Sequence, residues 1–179
     1  MEKIYKDVET ETIINSNKKS LKALGSEEDI SFTKDYLIYL HDLGIKEFGG
    51  TYGIRDEGLL ESVAATPYQS VFGTDLYPTP FDKAAKYLLD FARYQVFVDG
   101  NKRTGLITCI AFLKANNIEL TLSQLDKYNL TMSIANNKIT ELEQVSKILE
   151  ENSVYSFGHT ELTVDKETEE EIDDIELEI

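Results

Sequence analysis

Positions 97–105 carry the sequence FVDGNKRTG, which brings two glycines, an amide and two cations together in nine residues. Gly100 can take positive φ and Asn101 tolerates it, so successive backbone N–H groups can point into one hollow. The segment precedes a strongly apolar run that is typical of a buried helix, and a helix N-terminus carries partial positive charge. Lys102 and Arg103 fall in the first turn of that helix, where cations are unfavourable unless an anion lies nearby. The segment therefore favours an anion site.

Asp99 adds a candidate metal ligand at the edge of this hollow. Mg²⁺ is commonly held by one or two carboxylates together with substrate phosphates. Taken together, the residue types describe a site for a Mg²⁺-bound nucleotide. The alternative is an ordinary Asp-Gly surface turn followed by a solvated Lys-Arg pair, because short motifs also occur by chance.

Helical periodicity dominates the elements that must position this segment. The three prolines, at 67, 78 and 80, bracket one short stretch, 68–79, whose β-branched and aromatic residues around Gly73 predict a hairpin-like flap. The run 102–115 is apolar on nearly all sides, which is typical of the central helix of a bundle.

Capping signals help to place the other helices. Asp56 is predicted to cap the N-terminus of the second helix, which Pro67 ends. A capping box of Thr140 and Glu143 is predicted to open the last one. The remaining predicted helices cover residues 31–46, 81–92, 102–115 and 123–134, and the last covers 140–151.

The charge balance disfavours several classes of partner. The 179 residues include 33 acidic and 18 basic ones, a formal net charge of −15. Nucleic acids and anionic membranes are bound mainly through cations, so we expect neither as a partner. Residues 160–179 hold ten acids and one lysine, while residues 30–159 carry a net charge of only −4. We expect an N-terminal extension over 1–30, one domain over 31–152 and an acidic C-terminal tail over 153–179.

Cys109 is the single cysteine and lies in the apolar run GLITCIAFL, so it is predicted to be a core residue. The N-terminal residues are charged and lack the apolar run of a secretory signal. No stretch reaches the ~18 apolar residues of a membrane-spanning helix. These features predict a cytoplasmic protein.

Several segments, in order, resemble the Fic/Doc (Fido) family over about residues 31–150. They are LHDLGIKEFGGTYGIRDEGLLES, DLYPTPFDKAAKYLLDFAR, and FVDGNKRTG with the apolar helix behind it. The last segment is similar to the family signature His-x-Phe-x-Asp/Glu-Gly-Asn-x-Arg. The resemblance is greatest to the Doc branch, the death-on-curing toxins of toxin–antitoxin pairs. It implies an all-α, Fido-type helical bundle around a central apolar helix, with a short β-hairpin flap.

The resemblance also implies roles for the motif residues. Asp99 would hold a Mg²⁺ ion that bridges the phosphates of ATP. Gly100 and Asn101 would form the anion hollow, and Arg103 would bind phosphates. Phe97 would anchor the loop in the core.

Lys102 stands where AMP-transferring Fic enzymes carry Gly, and Leu106 stands where they carry a second Arg. A long cation at 102 is the Doc-type substitution, which implies that the nucleotide binds inverted and presents its γ-phosphate. The implied reaction is phosphorylation of a Ser or Thr hydroxyl on a protein. AMP transfer by a Fic-type enzyme is the alternative.

The flap of the family holds a target peptide in extended form by β-augmentation. Segment 68–79 matches this flap, so the resemblance implies that a target protein docks there. A cognate antitoxin is a second implied partner, and the oligomeric state is left open. The expected docking residues are Tyr68, Gln69, Ser70, Val71 and Phe72.

Gln95 departs from the family pattern, because it lies two positions before Phe97, where the family carries its general-base His. A neutral amide cannot take the proton from a target hydroxyl. Neither His41, which we interpret as structural, nor His159 near the tail fits the motif. Three alternatives follow: a toxin whose His was replaced so that it could be produced, a natural pseudoenzyme that keeps nucleotide or partner binding, and a weakly active enzyme. The last is reasonable because phosphoryl transfer relies mainly on positioning and electrostatics.

Ser146 and Glu150 come near the inhibitory-helix pattern Ser/Thr-x-x-x-Glu-Gly/Asn of Fic proteins. Glu151 breaks the last position of that pattern, and Leu106 replaces the Arg with which the inhibitory Glu pairs. We therefore interpret the match as coincidental, since Ser and Glu are common on solvated helix faces.

Overall fold

The computed structural model of the protein describes residues 31–156. The predicted extension over 1–30, most of the predicted tail (157–179) and His159 lie outside this range. The helices are α1 (Lys34–Phe48), α2 (Glu57–Ala65), α3 (Pro80–Arg93), α4 (Asn101–Ala115), α5 (Gln124–Ala135) and α6 (Leu142–Glu151), with a 3₁₀ turn at Thr66–Tyr68. The strands are β1 (Ser70–Val71), β2 (Thr74–Asp75), β3 (Ile118–Leu120) and β4 (Ser153–Tyr155).

Helices α3 and α4 pack along each other at the centre of the bundle. Helix α4 is also covered by α1, α5 and β3, and α3 also contacts α2, α5 and α6. Gly105 makes the close crossing of α3 and α4 possible, because a Cβ atom there would lie 2.9 Å from Phe91 Cβ and 3.3 Å from the Leu88 carbonyl oxygen. The expected all-α bundle with a short β-hairpin is confirmed, and α4 is buried on most sides as its composition predicts.

The core is built largely from α3 and α4 side chains. Its largest fully buried members include Tyr87, Phe91, Phe97 and Phe112. Each such aromatic side chain contributes roughly 1.5–3 kcal/mol when it is removed from water. Cys109 is also fully buried, which agrees with its prediction as a core residue, and burial raises the pKa of its thiol to about 12.

The predicted cap of α2 is present in the structure, and α3 has a capping box that was not predicted. Asp56 caps α2 as predicted, since its Oδ1 accepts from Leu59 N at 2.9 Å. A capping box that the sequence reading missed opens α3: Thr79 Oγ1 accepts from Asp82 N, and Asp82 Oδ2 accepts from Thr79 N.

The predicted capping box of Thr140 and Glu143 is wrong. Helix α6 begins at Leu142, and its N-cap residue is Glu141, which makes no side-chain capping bond. Thr140 Oγ1 instead donates to Glu141 Oε1 at 2.9 Å. The helix starts two residues later than the pattern indicates, so Thr140 is too far from the first turn to cap it.

Strand β4 lies just beyond the expected domain boundary at residue 152. It pairs antiparallel with β3, with Ile118 opposite Tyr155 and Leu120 opposite Ser153. The sequence reading missed this pair because its two strands are three residues long and more than thirty residues apart. Residues 153–155 therefore pair with the domain, and the assignment of 153–179 as a separate tail stays a prediction. In the described range, none of the helices has both the length and the apolar character that crossing a bilayer requires.

Candidate functional site

The loop between α3 and α4 is held in place by β-like pairing with the loop after α1. Arg55 N donates to Val96 O at 2.8 Å, and Val98 N donates to Gly53 O at 2.9 Å. Between these bonds, Phe97 forms an isolated antiparallel β-bridge with Ile54. The backbone of residues 96–98 is thus fixed on one side before α4 begins.

Phe97 anchors the same loop in the core, as expected. Its ring is fully buried and stacks on His41 at 3.9 Å and on Phe91 at 5.8 Å. His41 is 1 % exposed, and its Nε2 lies 3.2 Å from the Asp99 carbonyl oxygen. This burial fits the structural role predicted for His41 and keeps it from the proton of a docked hydroxyl.

Asn101 binds the loop rather than lining a hollow with its side chain. Its Oδ1 accepts from Phe97 N at 2.7 Å, and its Nδ2 donates to Phe97 O at 2.9 Å. The residue is 6 % exposed and is the first residue of α4. Only Gly100, of the two residues expected to use positive φ, does so. The contribution of Asn101 to an anion hollow is therefore limited to its backbone N–H.

Gly100 is the N-cap residue of α4, with φ of 73° in the left-handed region. Among residues 31–156, no side chain caps this helix. The first N–H groups of an α-helix have no acceptor within the helix, so the amides of residues 101–103 remain available to an external anion. Thr104 closes the turn from the other side, because its N and Oγ1 both donate to Gly100 O.

The two cations of the first turn have different surroundings. Lys102 is exposed and, within residues 31–156, makes no hydrogen bond or ion pair. Arg103 Nη1 donates to the carbonyl oxygens of Gly44 (3.1 Å) and Gly49 (2.8 Å), and its guanidinium carbon lies 5.1 Å from the centre of the Phe48 ring. Arg103 is therefore weaker evidence for a bound anion than Lys102, because the negative end of α1 already binds part of its guanidinium group. The Nε and Nη2 groups of Arg103 have no bond within the described range, so they can still reach a phosphate.

Asp99 is exposed, and backbone amides orient its carboxylate. Oδ1 accepts from Gly100 N at 2.6 Å, and Oδ2 accepts from Thr51 N at 3.3 Å. A carboxylate offers about four lone-pair sites, so capacity remains for a metal ion. Within residues 31–156, no cluster of three or more His, Cys, Asp or Glu side chains is placed to ligate a metal. The residues fit Mg²⁺ held by one carboxylate and substrate phosphates, and they do not fit a metal held by the protein alone.

Gln95 lies beside the same loop. It is exposed, and its Oε1 accepts from Asn101 Nδ2 at 3.3 Å. The chemistry of this position is therefore that of a neutral hydrogen-bonding amide.

The predicted flap is a hairpin of β1 and β2, paired Ser70 to Asp75 and Val71 to Thr74. Gln69 extends the pairing by accepting from the amide of residue 76 at 2.9 Å. Phe72 forms the tip and is fully exposed. Of the five expected docking residues, 69–72 are exposed.

Tyr68 differs from the other four flap residues because its side chain points into the core. Its hydroxyl accepts from Phe32 N at 3.1 Å and lies 3.1 Å from the Tyr87 hydroxyl. Tyr68 therefore fixes the base of the hairpin and offers little surface to a partner.

The sequence model of the Fic/DOC family matches residues 31–113. Toxin Doc of Mycolicibacterium smegmatis is 45 % identical over 73 residues, which are 41 % of this chain and 56 % of that protein. Protein kinase doc of Escherichia phage P1 is 35 % identical over 109 residues, which are 58 % of this chain and 81 % of that protein. The chain belongs to the Fic/DOC family. Both relatives carry the Doc name, which agrees with the Doc branch inferred from Lys102 and Leu106, although the chain spans only a little over half of the mycobacterial relative.

The Fic/DOC motif loop has a second wall that the sequence reading did not assign. It is the loop 49–53, which contacts Arg103 through Gly49 O, Asp99 through Thr51 N, and Val98 through Gly53 O. The signal available in the sequence was the cluster GGTYG at the end of a helix, with three glycines in five residues. All three adopt positive φ.

The inhibitory-helix pattern of Fic proteins does not apply to α6. Ser146 is 8 % exposed, and its Oγ donates to Asp82 Oδ1 on α3 at 2.6 Å. The hydroxyl thus serves the packing of α6 on α3, which agrees with the interpretation of the match as coincidental.

Proposed function

We propose that this Fic/DOC chain is a Doc-like toxin module that binds Mg²⁺-ATP at the start of α4 and transfers the γ-phosphoryl group to a Ser or Thr hydroxyl of a target protein. The observation that carries the proposal is the uncapped N-terminus of α4 behind a left-handed Gly100, with Asp99 and Lys102 exposed on either side. The open amides and the helix dipole suit phosphate oxygens.

Each motif residue is assigned a binding role that is compatible with its contacts and exposure. The amides of residues 101–103 and the unused donors of Arg103 bind the phosphates. Lys102 is exposed, so its side chain can extend toward the terminal phosphate, where a cation stabilises charge in a loose phosphoryl-transfer transition state. Asp99 holds the Mg²⁺ ion, which neutralises phosphate charge when bound.

Gln95 limits the chemistry of the chain as it stands. Within residues 31–156, nothing replaces the general base at its family position, because Gln95 is a neutral amide, His41 is buried, and the Asp99 carboxylate is assigned to the metal ion. Loss of a general base typically lowers a rate by ~10²–10⁴-fold. The transfer step should therefore be slow, while binding of the nucleotide should be retained.

The target is proposed to dock on the flap. The exposed strands β1 and β2 are short, but a peptide can add to such an edge through backbone hydrogen bonds. A cognate antitoxin is the second proposed partner, in line with the name of the mycobacterial relative, Toxin Doc.

Restoring the histidine tests this function. The Gln95→His chain, expressed from a tightly controlled promoter, should arrest growth and transfer label from γ-labelled ATP to a cellular protein. The double variant Gln95→His/Asp99→Ala is the matched control and should do neither. If the Gln95→His chain neither arrests growth nor labels any protein, the proposed function is wrong.

Gln95 also favours a second candidate function, a pseudoenzyme that binds nucleotide or a partner without transfer. Its amide is compatible with the loop, since it bonds to Asn101. Calorimetry of the unaltered chain with Mg²⁺-ATP addresses this candidate: micromolar affinity supports a nucleotide-binding role, and an absence of binding leaves only a protein-binding one.

A further inference from the structure

We infer that the loop 49–53 is a positioning element for the Asp99 carboxylate, and that Gly50 is the residue within it that lets the carboxylate reach its metal-binding position. This inference rests on the proposed function, because it takes Asp99 as the ligand of Mg²⁺. It assigns a role to residues that lie outside the motif.

The loop is fixed at both ends by the motif itself. At its start, Arg103 Nη1 donates to Gly49 O at 2.8 Å and to Gly44 O at 3.1 Å. At its end, Gly53 O accepts from Val98 N at 2.9 Å. Between these points, the loop has little freedom to move away from the start of α4.

The centre of the loop contacts the carboxylate directly. Thr51 N donates to Asp99 Oδ2 at 3.3 Å, while Gly100 N donates to Oδ1. The two carboxylate oxygens are thus each held by one backbone amide, one from each side of the site. Hydrogen bonds of this kind orient a metal ligand, and their loss typically lowers metal affinity ~10–100-fold.

Gly50 allows this approach for two reasons. Its φ is 130°, a region that residues with a side chain rarely adopt. A Cβ atom there would also lie 2.8 Å from Asp99 Oδ2 and 2.8 Å from Ile45 Cδ1, closer than such atoms can approach. The Ile45 side chain can turn aside, whereas a shift of the carboxylate moves Oδ2 from the position in which it accepts from Thr51 N.

Gly49 supplies a matched control within the same loop. Its φ is 77°, and a Cβ atom there would meet no atom of the described part of the chain within 4 Å. Alanine at 49 and alanine at 50 therefore both introduce backbone strain, but only alanine at 50 displaces the Asp99 carboxylate.

Binding of Mg²⁺-ATP to the full chain tests the inference. Calorimetry would compare the unaltered chain with Gly49→Ala, Gly50→Ala, Asp99→Ala and the double variant Gly50→Ala/Asp99→Ala. We expect Gly50→Ala to weaken the affinity at least ~10-fold more than Gly49→Ala does. In the Asp99→Ala background, Gly50→Ala should have no further effect, because the group through which it acts is absent. Direct binding of Mn²⁺ in the presence of ATP, followed by electron paramagnetic resonance, should give the same order.

The outcomes separate the two claims. If Asp99→Ala binds Mg²⁺-ATP as well as the unaltered chain does, the assignment of Asp99 in the proposed function is wrong. If Asp99→Ala binds weakly but Gly50→Ala equals Gly49→Ala, or adds its full effect to that of Asp99→Ala, the positioning role of Gly50 is wrong. Should Gly50→Ala fold poorly, Ile45→Val/Gly50→Ala removes the Ile45 Cδ1 clash and keeps the one with Asp99, and the same loss of affinity is expected relative to Ile45→Val.

Discussion

Replacing Phe72 by asparagine should stabilise the protein and at the same time weaken its action on a target. Phe72 and Gly73 are the two central residues of the β1–β2 turn, and both have positive φ, 51° and 79°. This geometry is that of a type I′ turn, for which Asn-Gly is the preferred pair. An aromatic residue at this position is strained, and its side chain is fully exposed, so it gains nothing from burial in the free protein.

The size of the effect follows from the backbone alone. An L-residue in the left-handed region costs roughly 1–2 kcal/mol, and asparagine is among the residues that tolerate this region best. We therefore expect Phe72→Asn to raise the free energy of unfolding by about 1 kcal/mol. For a domain of this size, that change corresponds to a rise in Tm of about 3–5 °C.

Differential scanning calorimetry of the full chain measures the stability, and label transfer in the Gln95→His background measures the action on a target. Phe72→Ala is the matched control, since it removes the ring but keeps a Cβ atom at positive φ without the favourable side chain of asparagine. Both variants should reduce label transfer, and only Phe72→Asn should raise Tm. Backbone strain at Phe72 is excluded if Phe72→Asn leaves Tm at or below that of Phe72→Ala, and the docking role of Phe72 is excluded if both variants transfer label normally.

Three further predictions concern the core. Gly105→Ala should destabilise the protein by about 1 kcal/mol in urea unfolding although alanine favours helices, because overpacking against Phe91 Cβ at 2.9 Å outweighs the gain in propensity; a stabilised variant would contradict this packing argument. Cys109 should resist iodoacetamide at mildly alkaline pH until the protein unfolds, since burial raises the pKa of its thiol to about 12, and rapid alkylation of the folded protein would show that it is accessible. Burial raises the pKa of Asp90 above its ordinary value despite the ion pair with Lys86, so the folded state binds that proton more tightly than the unfolded state does and loses stability as the pH rises through the folded pKa. The stability of Asp90→Asn relative to the unaltered chain should therefore increase over that pH range and then level off, and a difference that falls with pH would refute the sign.

The parts of the fold that local sequence determines could be predicted. Apolar spacing along α3 and the all-round apolar character of α4 indicate both central helices, and the capping residue Asp56 stands directly before its helix. The flap was predictable because Gly73 and the flanking prolines at 78 and 80 interrupt every helical pattern. In each case, the signal and its consequence lie within a few residues of each other.

The parts that depend on distant partners could not be predicted. Arg103 was expected to bind phosphates, but its bonds to the carbonyl oxygens of Gly44 and Gly49 could not be predicted, because these residues are more than fifty positions away. Asn101 was missed for a different reason: its partner Phe97 is only four residues away, but the sequence does not show that the amide closes the loop by bonding to both backbone groups of Phe97 instead of lining the hollow. The sequence gives the type of each polar side chain. The hydrogen-bond partners of a side chain such as Arg103 depend on helices that come together only in the folded chain.

We propose that the site at the start of α4 transfers the γ-phosphoryl group of ATP. Two parallel reactions of the Gln95→His chain with a cell extract, one with ATP labelled at the γ-phosphate and one with ATP labelled at the α-phosphate, test it most directly. We predict that a protein band acquires the γ label and not the α label, and that Asp99→Ala abolishes the transfer. Transfer of the α label instead would show AMP transfer and would contradict the account, as would the absence of both labels.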